Sequence, residues 1–304
     1  MRFTDSPVID LTVNGAKLSF HQDNGSMHVG TTVWPCSLVL VKFAERWLTS
    51  TSTTTDNPYA TLLDFHNKRA VELGTGCGVA AMGLYLLGLK EVVLTDIAPV
   101  MPALKHNLKR NKPVLGKMLK TAQLHWTNSD QIKALKPPFD FVIAADVVYI
   151  EESVGPLLAA MEAMVSDTGV VLLGYQVRSP EAHLLFWEQC NRIFDVEKVP
   201  HEHLHLEYAY EESDVYVLRK NFYTDVLLLL RKVQIERKCG LVYCAGNKIW
   251  EVGNIVNGSY SCIKGKKETV SDLWGEGESC NIDVPDAQDR NAGSQCNNIE
   301  IICN

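Results

Sequence analysis

Arg69-Ala70-Val71-Glu72-Leu73-Gly74-Thr75-Gly76-Cys77-Gly78-Val79 carries a short apolar stretch into three glycines at alternate positions. A helical pattern follows at once through Ala80, Ala81, Met82, Leu84, Leu86 and Leu87. The reading is strand, tight glycine turn, helix. Glycines at such a turn let a ligand approach the backbone closely, and the helix start offers free N–H groups. A second apolar run, Glu91-Val92-Val93-Leu94-Thr95-Asp96, ends in an acid about twenty residues after the turn, where a βα fold sets a carboxylate against ribose hydroxyls. Together they predict a nucleoside-containing cofactor.

The spacing selects among such cofactors. A dinucleotide fingerprint needs its third glycine at position 79, which is Val; here it comes early, at Gly78. No Gly-Lys-Ser/Thr follows, so a nucleotide triphosphate loop is excluded. Glu72 at the strand end suits a cationic ligand better than a pyrophosphate. S-adenosylmethionine, with an amino group and a sulfonium and no phosphate, fits this pattern. No G-x-S-x-G elbow marks a hydrolase.

Outward from the turn, strands and helices alternate. Strands are predicted at 69–73, 91–95, 122–126, 139–145 and 169–175, and helices at 78–88, 99–111, 153–166 and 180–191. Two last strands, 194–199 and 214–219, close the series as an antiparallel pair. This predicts an α/β fold with a doubly wound, mostly parallel sheet of seven strands covered on both faces. Before it, Ile9, Leu11 and Val13 alternate into Asn14-Gly15, a hairpin turn signal, and Pro35 opens a helix to about Leu48. Residues 1–48 read as an N-terminal extension, 60–220 as the cofactor domain, and 49–57 as a polar loop. Residues 221–304, rich in Asn, Gly, Ser and Cys without a sustained period, read as a poorly ordered tail of unknown role.

The strand 139–145 ends in Asp146-Val147-Val148-Tyr149. Ligands of open α/β sheets sit outside the carboxyl ends of strands. Gly74–Gly78, Asp96 and Asp146–Tyr149 all lie at such ends and should line one crevice. There Asp146 would dock an incoming amine and Tyr149 orient it, unless they serve as a turn residue and a packed ring. Trp34, ahead of a helix, and Trp126, closing the predicted third strand, offer rings to an adenine, with core packing as the alternative. His201, His203 and His205 would share one face if extended, in a loop between the last strands; a solvated or substrate-facing loop suits them better than a metal site. The spacing of the tail cysteines forms no paired knuckles, and no metal is expected.

The chain has 304 residues, 21% of them charged, and a net charge of -7, which argues against a nucleic-acid partner. No apolar run is long enough to span a bilayer, and the start lacks a signal core. The scattered Cys36, Cys77 and Cys190 read as reduced thiols. A cytoplasmic monomer is the expectation.

Residues from about 8 to 220 resemble the seven-β-strand (class I) methyltransferases, and within them the methyltransferase-like protein-lysine methyltransferases. The resemblance is carried by Val33-Trp34-Pro35, Glu72–Gly78, Leu94-Thr95-Asp96, Asn107-Leu108 with Asn111, Leu124-His125-Trp126 and Ala145–Tyr149. It implies a Rossmann-like fold. It implies that Trp34, Glu72, Gly74, Thr75, Gly76, Asp96, Trp126 and Ala145 form the S-adenosylmethionine site, and that Asp146 and Tyr149 border the acceptor lysine. It also implies a protein substrate of chaperone, AAA ATPase or elongation-factor type. A nicotinamide-like acceptor and a scaffold without catalysis are the alternatives.

Overall fold

The structure, a computed structural model, describes residues 4–49 and 57–221 in full, and 241–244, 248–252, 260–266 and 278–282 by backbone alone. The chain divides into two compact units, 1–220 and 221–304.

The first unit is built on a seven-stranded sheet. Strands β3 (Arg69–Leu73), β4 (Glu91–Asp96), β5 (Lys120–Gln123), β6 (Phe139–Ala145), β7 (Val165–Tyr175), β8 (Phe194–Lys198) and β9 (Asp214–Lys220) lie in the order β5-β4-β3-β6-β7-β9-β8. β3, β4, β5, β6 and β7 run parallel, and β9 is antiparallel to both β7 and β8. The chain starts in the middle and winds outward both ways, so the order reverses between β3 and β6. That reversal opens a crevice at the carboxyl ends of the two strands.

The period of two in the strands sorts residues between two cores. Ala70, Phe141, Ile143 and Leu172 face α1 (Pro35–Leu48), α2 (Val79–Leu86) and α3 (Met101–Leu115). Val71, Leu73, Val142, Ala144, Val171 and Leu173 face α5 (Glu151–Met164) and α6 (Pro180–Ile193).

A separate hairpin, β1 (Val8–Val13) and β2 (Ala16–His21), turns at Asn14 and Gly15, whose φ values of 48° and 75° are what the Asn-Gly signal predicts. It docks on α3 through two buried amides. Asn111 accepts from the Ser19 amide at 2.8 Å and donates to the Ser19 carbonyl at 3.0 Å. Asn107 does the same to His21 at 2.8 and 3.1 Å. Four residues of helix advance about 6 Å and two residues of strand about 6.7 Å, so the two amides meet alternate residues of β2 like a neighbouring strand.

Two features depart from the sequence reading. β5 ends at Gln123 and not at 126: after Leu124 donates to the Asp96 carbonyl at 2.8 Å, the chain leaves the ladder. Trp126 therefore sits in the following loop. A further helix, α4 (Ser129–Ala134), appears where none was predicted, capped by Asn128, whose side chain accepts from the amides of Asp130 and Gln131. In the second unit, Leu241–Cys244, Lys248–Val252, Tyr260–Lys266 and Glu278–Ile282 form an antiparallel meander, β10 to β13. The rest of the stretch predicted to be poorly ordered lies outside the described residues. Among the described residues no helix is long and apolar enough to cross a membrane.

Gly174 in β7 lets α1 abut the sheet. A Cβ there would lie 2.6 Å from the Cys36 carbonyl oxygen, a backbone atom with no rotamer to escape by. Gly174→Ala should cost about 1–3 kcal/mol. Thermal unfolding would show it as a fall in melting temperature of about 2–4 °C per kcal/mol; an unchanged melting temperature would mean that α1 is not held against β7.

Candidate active site

The crevice at the switch point has a volume of about 560 Å³. That is in the range of small-ligand and cofactor sites. The glycine turn forms its floor. Gly74, Gly76 and Gly78 have φ of 65°, 54° and 87°, a region that side chains rarely tolerate. A Cβ on Gly74 would lie 2.9 Å from Val147 and 3.4 Å from Trp126, and one on Gly76 would lie 2.9 Å from the Gly30 carbonyl oxygen. The glycines thus serve close packing on two sides: against the strand end of β6, and against the segment that joins the hairpin to α1. That segment is fastened by Gln22, which accepts from the Val33 amide at 2.7 Å, and by Trp34, whose indole donates to the Val29 carbonyl at 2.9 Å.

Each residue expected at the site borders this crevice: Trp34, Glu72, Gly74, Thr75, Gly76, Asp96, Trp126, Ala145, Asp146 and Tyr149. The sheet explains the convergence, since β3, β4 and β6 end side by side. Asp96 accepts from the Gly76 amide and the Ile97 amide, both at 2.8 Å, while burial pushes its carboxyl up against these bonds. Tyr149 is 39% exposed at the rim. Partial burial and then the charge of Asp96 push its phenol upward, so it stays neutral.

Two residues behave differently from the sequence reading. Glu72, read as a match for a ligand cation, is fully buried, and its carboxyl group accepts from the Thr75 hydroxyl and from the Ala81 amide at 3.1 Å. It pins the glycine turn to the first turn of α2. Asp146, read as a docking group for an amine, already has a cation. Arg178 grips it side-on, Nε donating to Oδ1 at 2.8 Å and Nη2 to Oδ2 at 2.6 Å, and the Asp146 side chain is only 3% exposed. The guanidinium lies over the Trp34 ring, 4.7 Å from its centre. Asp146 itself has φ of 60°. Arg178 did not emerge from the sequence, although it follows the carboxyl end of β7, where the strand-end rule would have looked.

The histidine cluster is not extended. His201–His203 form a short 3-10 turn, and the Nδ1 of His203 shares a 2.7 Å hydrogen bond with the Tyr59 hydroxyl while its ring packs edge-on against Trp47. Among the described residues no group of His, Cys, Asp and Glu is arranged to hold a metal ion.

A seven-stranded sheet with one reversed strand, a glycine turn after its first strand, an acid after its second and a crevice between them define a class I S-adenosylmethionine-dependent methyltransferase. The residues present fit that cofactor: the glycine turn borders the crevice, and Asp96 ends β4, where an open α/β sheet can set an acid against ribose hydroxyls. More narrowly, the chain belongs to the lysine methyltransferase family, whose family model matches residues 12–192. It is 26% identical to the protein N-lysine methyltransferase METTL21A of Danio rerio over 211 residues, 69% of this chain and 85% of that one. It is 26% identical to the EEF1A lysine methyltransferase 3 of Mus musculus over 204 residues, 67% of this chain and 76% of that one. Against the protein-lysine methyltransferase METTL21E of Bos taurus the identity is 29% over 173 residues, 56% of this chain and 55% of that one.

Burial of Glu72 has a consequence for stability. It pushes the carboxyl from 4.5 to about 8, so the folded chain holds this proton more tightly than the unfolded one. Folding then takes up a proton between these values, and stability falls as pH rises through that window and levels off above it. Glu72→Gln removes the effect. Thermal unfolding from about pH 5 to about pH 9 should show the native protein losing stability relative to the variant toward the alkaline end. Parallel curves would mean that Glu72 is ionised in the fold.

Proposed function

We propose that the crevice binds S-adenosylmethionine over the glycine turn and delivers its methyl group to the side-chain amine of a lysine in a protein substrate. The observation that carries this reading is the close fit of the two halves of the site: Gly74 of the cofactor turn packs directly on Val147 of the Asp146–Tyr149 segment. The bound cofactor supplies an electrophilic methyl group on a sulfonium. Asp96 would hold ribose hydroxyls and Trp126 would pack on the adenine, with Gly74 and Gly76 setting the shape of the turn beside the ligand. Ala145 and Trp34 wall the crevice, and Glu72 with Thr75 keeps the turn in shape. Tyr149, at the rim, directs the acceptor chain, and most of the rate comes from aligning the amine with the methyl carbon.

The acceptor belongs to a protein of elongation-factor, chaperone or AAA ATPase type; the mouse relative, an EEF1A lysine methyltransferase, supports the first of these. The buried free cysteines Cys36, Cys77 and Cys190 support the cytosol as the setting.

Incubating the protein with cell extract and tritiated S-adenosylmethionine should label a protein band on lysine, identified by mass spectrometry. Label confined to small metabolites would point to a small amine acceptor, and no label at all to a scaffold. Tyr149→Ala should reduce labelling about a hundredfold, while calorimetric affinity for S-adenosylhomocysteine stays within about twofold. Equal loss of both would put Tyr149 in the cofactor pocket.

A further inference from the structure

The Asp146–Arg178 pair poses a chemical problem for lysine methylation. A lysine is normally protonated near neutral pH, with an ordinary pKa of about 10.4. An ammonium has no lone pair and cannot take a methyl group. A lone carboxylate beside the acceptor would favour that unreactive form. Asp146 borders the crevice, yet both its oxygens are taken by Arg178, at 2.8 and 2.6 Å.

We infer that Arg178 is a positioning residue that withholds the Asp146 carboxylate from the acceptor lysine, so that the amine sits in the crevice neutral and ready to react. This rests on the lysine-methylation reading above. The ammonium first loses one proton to water. The nitrogen lone pair then bonds the methyl carbon as the carbon–sulfur bond breaks with its electron pair on sulfur, and the methylated ammonium later sheds a proton to water.

Three features hold Arg178 to this task. Its guanidinium is stacked on Trp34, 4.7 Å away, which fixes its plane. Its grip on Asp146 is a two-bond fork that a free amine cannot match. The pair is three-quarters or more buried, with Arg178 at 23% and Asp146 at 3% exposure, so the attraction is little screened. The other groups nearby do not undo it. Cys36 on α1 touches Asp146 as a thiol that burial keeps neutral. Glu212, ahead of β9, is hydrogen-bonded by Gln176, and its charge helps keep Arg178 protonated. Asp96, Glu152 and His28 border the crevice from β4, α5 and the N-terminal segment. All of them remain in the variants below.

The test is the pH dependence of tritiated methyl transfer into the labelled band, with extract proteins freed of small molecules as acceptors. The native protein should gain activity as pH rises along one limb. Arg178→Gln frees the carboxylate and should move that limb up by about one unit or more, lowering kcat at neutral pH without raising KM for the acceptor. Arg178→Lys, which keeps the charge, should leave the limb near its native position even if transfer is slower. Should Arg178→Gln fail to fold, the double variant Asp146→Asn with Arg178→Gln lacks both charges and should titrate like the native protein; a limb shifted upward there would overturn the inference. So would an Arg178→Gln limb that stays in place while the rate falls equally at every pH, the signature of a simple brace. Titration with S-adenosylhomocysteine, unchanged across the set, separates these effects from a damaged cofactor pocket. No labelled protein from the native chain at any pH would instead overturn the lysine reading itself.

Discussion

The fork between Arg178 and Asp146, with the ring stacked on it, ties the ends of two neighbouring strands to the start of α1. Asp146 follows β6, Arg178 follows β7, and the Trp34 ring beneath the guanidinium precedes α1. The sheet brings the first two near each other, and the close approach of α1 at Gly174 brings the third. An ion pair this buried adds little net stability, because both charges gave up water to form it. Leaving one partner alone costs far more, about 3–5 kcal/mol. The pair therefore acts less as glue than as a specification: any packing of α1 that displaced Trp34 would leave Arg178 without its stacking partner. The left-handed backbone at Asp146, with φ of 60°, fits the same picture. A non-glycine residue holds that conformation where surrounding contacts over-determine it.

Much of the architecture was legible because the informative signals are local. Three glycines at alternate positions can serve few purposes directly after an apolar strand, and the hairpin turn at Asn14-Gly15 has one dominant geometry. The central strands are visible as short apolar runs because each face of the sheet has its own core. The crevice-lining residues followed from one rule about strand ends. What escaped was non-local or weakly marked. Nothing near Arg178 announces a partner 32 positions back. The six-residue α4 buries none of its residues, so it has no apolar stripe to detect, although Asn128 marks its start. The carboxylate of Glu72 was assigned to the ligand because its charge was legible and its burial was not. His201, His203 and His205 were legible as a loop between the last strands, but not the contacts of Tyr59 and Trp47 that hold the middle ring there.

The amides of Asn107 and Asn111 carry a consequence for how the crevice exchanges its contents. They fasten β2 to α3 as far as His21, and α1 begins at Pro35. The segment between these points crosses above the glycine turn, with the Gly30 carbonyl close over Gly76. It is a span moored at both banks. The hairpin cannot swing away as a rigid flap without breaking four partly buried hydrogen bonds. With the hairpin held, the part of this wall left to move is the loop between His21 and Pro35, a local motion and not the displacement of a domain.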